Sequence, residues 1–176
     1  MRVVVCSTML ACTTTTDLSR DLGPVPDGSL TTDATGYLAE PIVGTVRPLQ
    51  YQFKLITRFE NRSRSPVFLG RCYPNSPQPI YSIVSADGSA LESAYNPNWA
   101  CVGHDSQFQL LPGAVRVDTF TLQGPNVFDP SKQQAVGATS GMFRLALSVR
   151  SAPGDGAPAA PGSLGMSNAF VVRTSR

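Results

Sequence analysis

The sequence predicts an all-β fold, an antiparallel β-sandwich of about seven to eight short strands, on three observations. First, charged residues are only 15% of the 176, against about 25% in typical globular domains. Twelve of the cations are Arg, with Lys54 and Lys132 the only lysines, and Glu occurs only at 40, 60 and 92. Exposed helix faces are normally built from Glu, Lys and Gln, whereas this chain fills its polar positions with Ser and Thr. Second, 15 prolines and 15 glycines interrupt the chain so often that no window of about 12 residues keeps a helical apolar period. Third, several segments alternate apolar and polar residues between turn signals, the pattern of half-buried antiparallel strands.

The first element is expected to be a targeting segment. Met1-Arg2 is followed by a short apolar run ending in Met9-Leu10-Ala11-Cys12, which has the charged start, apolar stretch and small residue of a secretory signal. The last four residues resemble the lipobox of bacterial lipoproteins. Residues 1–11 are therefore expected as a signal peptide with a shortened start, and Cys12 as the lipidated residue. The alternative is that Val3–Leu10 forms a buried first strand. Residues 12–37 hold four threonines and then Pro/Gly-punctuated polar sequence, expected as a flexible tether. Thr13, not Asp, follows Cys12, which in lipoproteins that resemble this one goes with outer-membrane sorting.

Residues 38–176 are expected as the folded domain. A strand is predicted near Ile42–Val46. Leu49–Glu60 alternates with Tyr51, Phe53, Leu55, Thr57 and Phe59 on one face; Asn61–Pro66 is its turn, and Val67–Leu69 begins the next strand. Asp87-Gly88, a strong hairpin dipeptide, lies between Pro79–Ser85 and Ala90–Tyr95. Phe108–Leu111 leads into the Pro112-Gly113 turn and the alternating strand Val115–Leu122. Gly141–Val149 and Ser167–Val172 complete the set, separated by the Ala/Pro/Gly-rich loop Ser151–Gly165.

Phe59-Glu-Asn61 with Ser65-Pro-Val67, Leu110-Leu-Pro-Gly113 and Gly141-Met-Phe143 resemble the punctuation of bacterial Ig-like modules. The chain looks most like those typified by the intracellular proteinase inhibitor family, from about Leu49 to Val172. The resemblance implies an Ig-like sandwich and, as a second functional reading, inhibition of a proteinase through a protruding loop. The cysteines depart from that family. Cleavage before Cys12 removes Cys6, and lipidation consumes Cys12. Cys72 and Cys101 remain as an even pair, expected as a disulfide in an oxidising compartment, with free thiols as the alternative.

Chemistry is sparse. Cys101, His104 and Cys72, with Asp105, offer a ligand set, but without the paired spacings of structural zinc sites; no metal and no cofactor is expected. His104 is the only histidine, and Ser140 in Gly137–Gly141 falls one place late for a nucleophile elbow, so the chain is expected not to be an enzyme. A net charge of +2 gives no case for nucleic acid. Arg58, Arg62, Arg64 and Arg71 cluster near Asn61 and read as a solvated strand edge, with an anion-binding patch as the sharper alternative. Asn61-Arg-Ser63 has the pattern of a glycosylation acceptor.

Tyr73, Tyr95 and Trp99 lie in Pro/Asn-rich loops beside the expected disulfide and form the candidate binding surface, or else cover one end of the core. The expected function is a non-enzymatic lipoprotein of the cell envelope, on the outer membrane or cell surface. Its expected partners are a membrane, through the lipid, and another envelope protein or a glycan.

Overall fold

The structure, a computed structural model, describes residues 29–44, 49–86, 93–97, 106–129, 134–154 and 165–175. The fold is all-β, with twelve strands and no helix among these residues. The long predicted strands form where alternation is cleanest. In β3 (Tyr51–Glu60), Phe53, Leu55, Thr57 and Phe59 are buried. Its partner β7 (Val115–Gly124) runs antiparallel from Tyr51↔Gly124 to Glu60↔Val115 and buries Asp118, Phe120 and Leu122. The Pro112-Gly113 turn enters β7 as expected. Gly113 has φ +76, and the Ala114 amide donates to the Leu111 carbonyl at 2.9 Å, as a turn with proline then a positive-φ residue requires.

Residues 29–37, expected as part of the tether, are instead folded. β1 (Leu30–Thr32) pairs with the end of β3, and Leu30, Thr31 and Thr32 are all buried. The chain then crosses over at Asp33–Thr35 into β2 (Gly36–Pro41); of the strand expected near Ile42–Val46, residues 42–44 are not in a strand and 45–46 lie outside the described residues. The crossover is pinned by side chains. Asp33 Oδ1 accepts from the Tyr37 hydroxyl (2.6 Å) and the Ile56 amide (2.9 Å), and Asn168 Oδ1 accepts from the Thr32 amide (2.8 Å).

β2 then belongs to two layers at once. Glu40 and Pro41 pair antiparallel with β3, while Gly36–Ala39 pair parallel with β12 (Phe170–Thr174). From β12 the path continues antiparallel to β10 (Gly141–Leu147) and β5 (Tyr81–Ser85). Along the sheet path β1-β3-β2-β12-β10-β5, β5 is one end, and β7 joins the sheet off this path through β3, four strands away from β5. Yet the Tyr81 ring on β5 meets Phe120 on β7 with centroids 4.8 Å apart, nearly edge-on. The path is thus folded back on itself into a sandwich. Phe53, Phe59, Phe120, Phe143, Leu145, Phe170 and Val172 fill a single core between the layers.

The remaining strands extend this frame. β10 runs on past Ser148 as β11 (Val149–Arg150), which pairs with β4 (Val67–Gly70); β4 in turn pairs with β6 (Gln107–Leu110). β4 and β5 therefore lie end to end, and residues 71–79 form an excursion between them. Its neck is closed by the Ile80 amide donating to the Gly70 carbonyl at 2.7 Å. β8 (Val127–Asp129) and β9 (Gln134–Val136) form a small hairpin not anticipated from sequence.

The hairpin expected around Asp87-Gly88 is corrected in part. Residues 87–92 lie outside those described, and β5 pairs with β10 on one edge. Ser93 at the described end of Ala90–Tyr95 bridges in parallel to Ala138. Residues 1–28, with the expected signal peptide and Cys12, also lie outside the described residues, as does most of the Ser151–Gly165 loop.

Candidate functional site

The predicted surface divides into three different situations. Tyr73 sits on the 71–79 excursion, half exposed at 50%. Proline at position 74 suits the tight turn in which the Ser76 amide donates to the Tyr73 carbonyl (2.9 Å) and Ser76 Oγ accepts from the Tyr73 amide (3.0 Å). Cys72, beside it, is 6% exposed. A shallow groove runs next to it, lined by Ser76, Pro77, Gln78, Pro79 and Ile80. Trp99, Cys101, His104 and Asp105 lie outside the described residues.

Tyr95 is a core residue and not part of a contact surface. It is 1% exposed, its ring is edge-on to Phe53 with centroids 5.0 Å apart, and its hydroxyl donates to the Thr139 carbonyl at 2.9 Å. Burial holds its phenol well above the ordinary value. The segment Ser93–Tyr95 reaches this position because two glycines let it through. A Cβ at Gly124 would lie 2.5 Å from the Ala94 carbonyl oxygen, and one at Gly137 would lie 2.6 Å from the Ala94 nitrogen. The Ala94 amide donates to the Ala138 carbonyl (3.0 Å), and the Asn126 amide donates to the Ala94 carbonyl (2.8 Å). Asn96 follows and accepts from the Ile83 amide at 2.6 Å, closing part of the outer edge of β5. The local sequence reads as a loop aromatic; the burial is decided by residues far away in the chain.

The arginines do not form one patch. Arg58 and Arg62 flank Glu60 at 2.7 and 3.6 Å. The hydrogen bond from Arg58, with the charge of both arginines, holds the half-buried Glu60 carboxyl below its usual range. Arg71 lies at the far end of β4, where its Nε donates to Ser106 Oγ (2.7 Å) and its guanidinium covers the Phe108 ring at 4.6 Å. Arg116 covers the same ring at 3.6 Å and forks onto Asp118, Nε to Oδ2 at 2.7 Å and Nη2 to Oδ1 at 2.6 Å. Nη2 also donates to the Pro77 carbonyl (2.7 Å), and Gln78 Nε2 donates to the Thr119 carbonyl. These bonds staple the excursion to β7 and occupy the edge that β7 would otherwise offer for strand pairing. The pair was visible in the sequence: Asp118 falls in phase with Phe120 and Leu122, and a carboxylate on a core face needs a partner.

Two polar residues with functional readings are structural. Asn61 is 1% exposed. Its amide donates to the Ser65 and Leu110 carbonyls, both at 2.9 Å, while its oxygen accepts from the Ser63 amide (3.0 Å) and hydroxyl (2.7 Å). An amide committed in this way is closed to glycosylation in the folded chain. Ser140 Oγ lies 3.3 Å from Thr174 Oγ1, an exposed hydroxyl pair with no base supplied by either partner. Among the described residues, no three His, Cys, Asp or Glu side chains are grouped to hold a metal ion. No protein family matches the chain, and no curated protein is similar to it in sequence.

Proposed function

We propose that this chain is a non-enzymatic module of the cell envelope, held to a membrane by a lipid on Cys12 and presenting its β-sandwich for binding or structural support. The feature that carries the reading is Cys72, buried at 6% exposure and one of an even pair of cysteines that the reading joins in a disulfide, because such bonds persist in oxidising compartments and are rare in the cytosol. Cys101 is the partner that the reading assigns to it, since processing removes Cys6 and lipidation uses Cys12. The Met9–Cys12 lipobox-like run supports the anchor. Ser29, the first described residue, already lies in the sandwich, and the reading gives residues 13–28 to the connection between lipid and domain.

Intact mass of the full-length product from a bacterial membrane fraction, with and without reductant and thiol alkylation, tests both halves. Loss of residues 1–11, a gained acyl mass and two thiols alkylated only after reduction are expected. An unprocessed chain overturns the anchor. Four thiols that alkylate without reduction overturn the oxidising compartment.

A further inference from the structure

The outer face of the β2–β12–β10–β5 layer is unusually apolar for a surface that faces solvent. Leu38 and Met142 are 57% and 54% exposed. Met142 lies directly opposite Val171 in the β10–β12 register, and Leu38 lies opposite Arg173 in the β2–β12 register. Side chains of facing residues stand on the same side of a sheet, about 5 Å apart, so these residues form one surface. Gly36, opposite Val171, opens a shallow groove between it and Leu38. A Cβ there would meet nothing closer than the Val171 carbonyl at 4.0 Å. The face is also cationic. The four strands carry Arg144, Arg173 and one carboxylate, Glu40, which lines the groove on the opposite side of Leu38 together with Lys54. Neither Arg144 nor Arg173 has an acidic partner among the described residues. The other outer face differs: Val115 and Val117 are exposed there too, but Glu60 partners both Arg58 and Arg62.

We propose that this Leu38/Val171/Met142 face docks on an anionic lipid bilayer, with Arg144 and Arg173 over the headgroups. The proposal rests on the anchored reading above and names the surface that the anchored domain uses. Residues 13–28 fully extended reach at most about 60 Å, and they enter the fold through β1, which leads directly into β2. A lipid on Cys12 would therefore keep a bilayer within reach of this face and raise the occupancy of a contact that its apolar side chains and two cations already make without the lipid. A second copy of the chain is disfavoured, because stacking the face on itself would bring like-charged arginines together.

The test uses the full chain with Cys12→Ser, so that no lipid contributes, and co-sedimentation with vesicles of phosphatidylcholine, alone or mixed with phosphatidylglycerol. Binding is expected to the mixed vesicles only and to weaken with salt. Arg173→Glu lowers it at least about fivefold, the effect of roughly one charge at an anionic surface. Leu38→Glu and Met142→Glu lower it by at least as much. Val117→Glu, an equal change on the other outer face, leaves it unaltered, and the N-terminal apolar run cancels because every variant carries it.

Absence of binding, or equal binding by all four variants, overturns the proposal. So does dimerisation in sedimentation equilibrium that the Met142→Glu variant abolishes, which would assign the face to a second copy. Because the vesicle assay needs no lipidated cysteine, its failure is distinct from failure of the anchor, which intact mass reads.

Discussion

Replacing Asn61 by alanine removes the side chain that ties the β3–β4 turn to the end of β6. Four hydrogen bonds go, two donated by the amide and two accepted by its oxygen. They are not equal. Ser63 and Ser65 lie where water can replace the lost partner, so those three bonds together are worth about 1 kcal/mol. The Leu110 carbonyl is buried against the Asn61 amide, and leaving it without a donor costs about 1–3 kcal/mol. The sum is about 3 kcal/mol, a fall in Tm of about 6–12 °C for a domain of this size. The backbone bonds between Asn61 and the Gly113–Ala114 turn survive, so the fold should persist and the loss be measurable by urea and thermal unfolding.

Asn61→Asp sharpens the test. It keeps the acceptor for Ser63 but sets a carboxylate oxygen against two carbonyls, which raises the folded-state pKa above the ordinary value of about 3.9. Stability from a raised pKa is present below the unfolded value and lost as pH rises through the folded one. This variant should therefore come closest to the parent in acid. A loss below about 1 kcal/mol for Asn61→Ala, or an Asn61→Asp deficit that does not shrink in acid, would refute the reasoning.

Further predictions concern the core, the glycines and the phenols. Tyr95→Ala should destabilise by about 3–5 kcal/mol as a large core truncation, and Tyr73→Ala by no more than about 0.5 kcal/mol. Chemical denaturation of both variants separates the buried tyrosine from the exposed one. Gly124→Ala and Gly137→Ala each force a Cβ into the Ala94 backbone and should each cost at least about 1–3 kcal/mol, the range for overpacking; Gly154→Ala, with open space around it, controls for backbone strain at a positive φ. Tyr37, Tyr81 and Tyr95 all have phenols raised by burial, Tyr37 also by its bond to Asp33. Their contribution is fully present below about pH 10 and is lost as pH climbs from there toward the folded values. Tm measured from neutral to strongly alkaline pH should fall only in that upper range, together with phenolate absorbance.

Much of the frame was legible because alternation is a local property. β3, β7 and β10 each show their buried face in their own residues, and Pro112-Gly113 shows its turn. β1 was not legible. Leu30, Thr31 and Thr32 are consecutive and all buried, so no alternation marks them, and the two threonines are accommodated by bonds to Asn168, the Ala34 carbonyl and the Arg58 carbonyl. Two of those partners lie far away in the chain, and composition alone reads the segment as tether. Tyr95 failed in the same way, since its local Pro/Asn setting says loop while Gly124 and Gly137 decide its burial. The apolar outer face escaped notice because Leu38, Val171 and Met142 come from three separate strands whose adjacency only the register reveals.

The double pairing of β2 also decides how the domain would bear a pull. β2 and β12 run parallel, so tension applied between Ser29 and Ser175 draws the start of one strand against the end of the other along their common axis. Hydrogen bonds loaded that way slide together and share the force, whereas a hairpin opened from its end gives up its bonds in turn. β1 lies nearer the N-terminal end, clipped to β3 by three paired residues and to Asn168 by its side chain. It would part first, and Gly36–Ala39 against Val171–Thr174 would hold as the mechanical clamp of the sandwich.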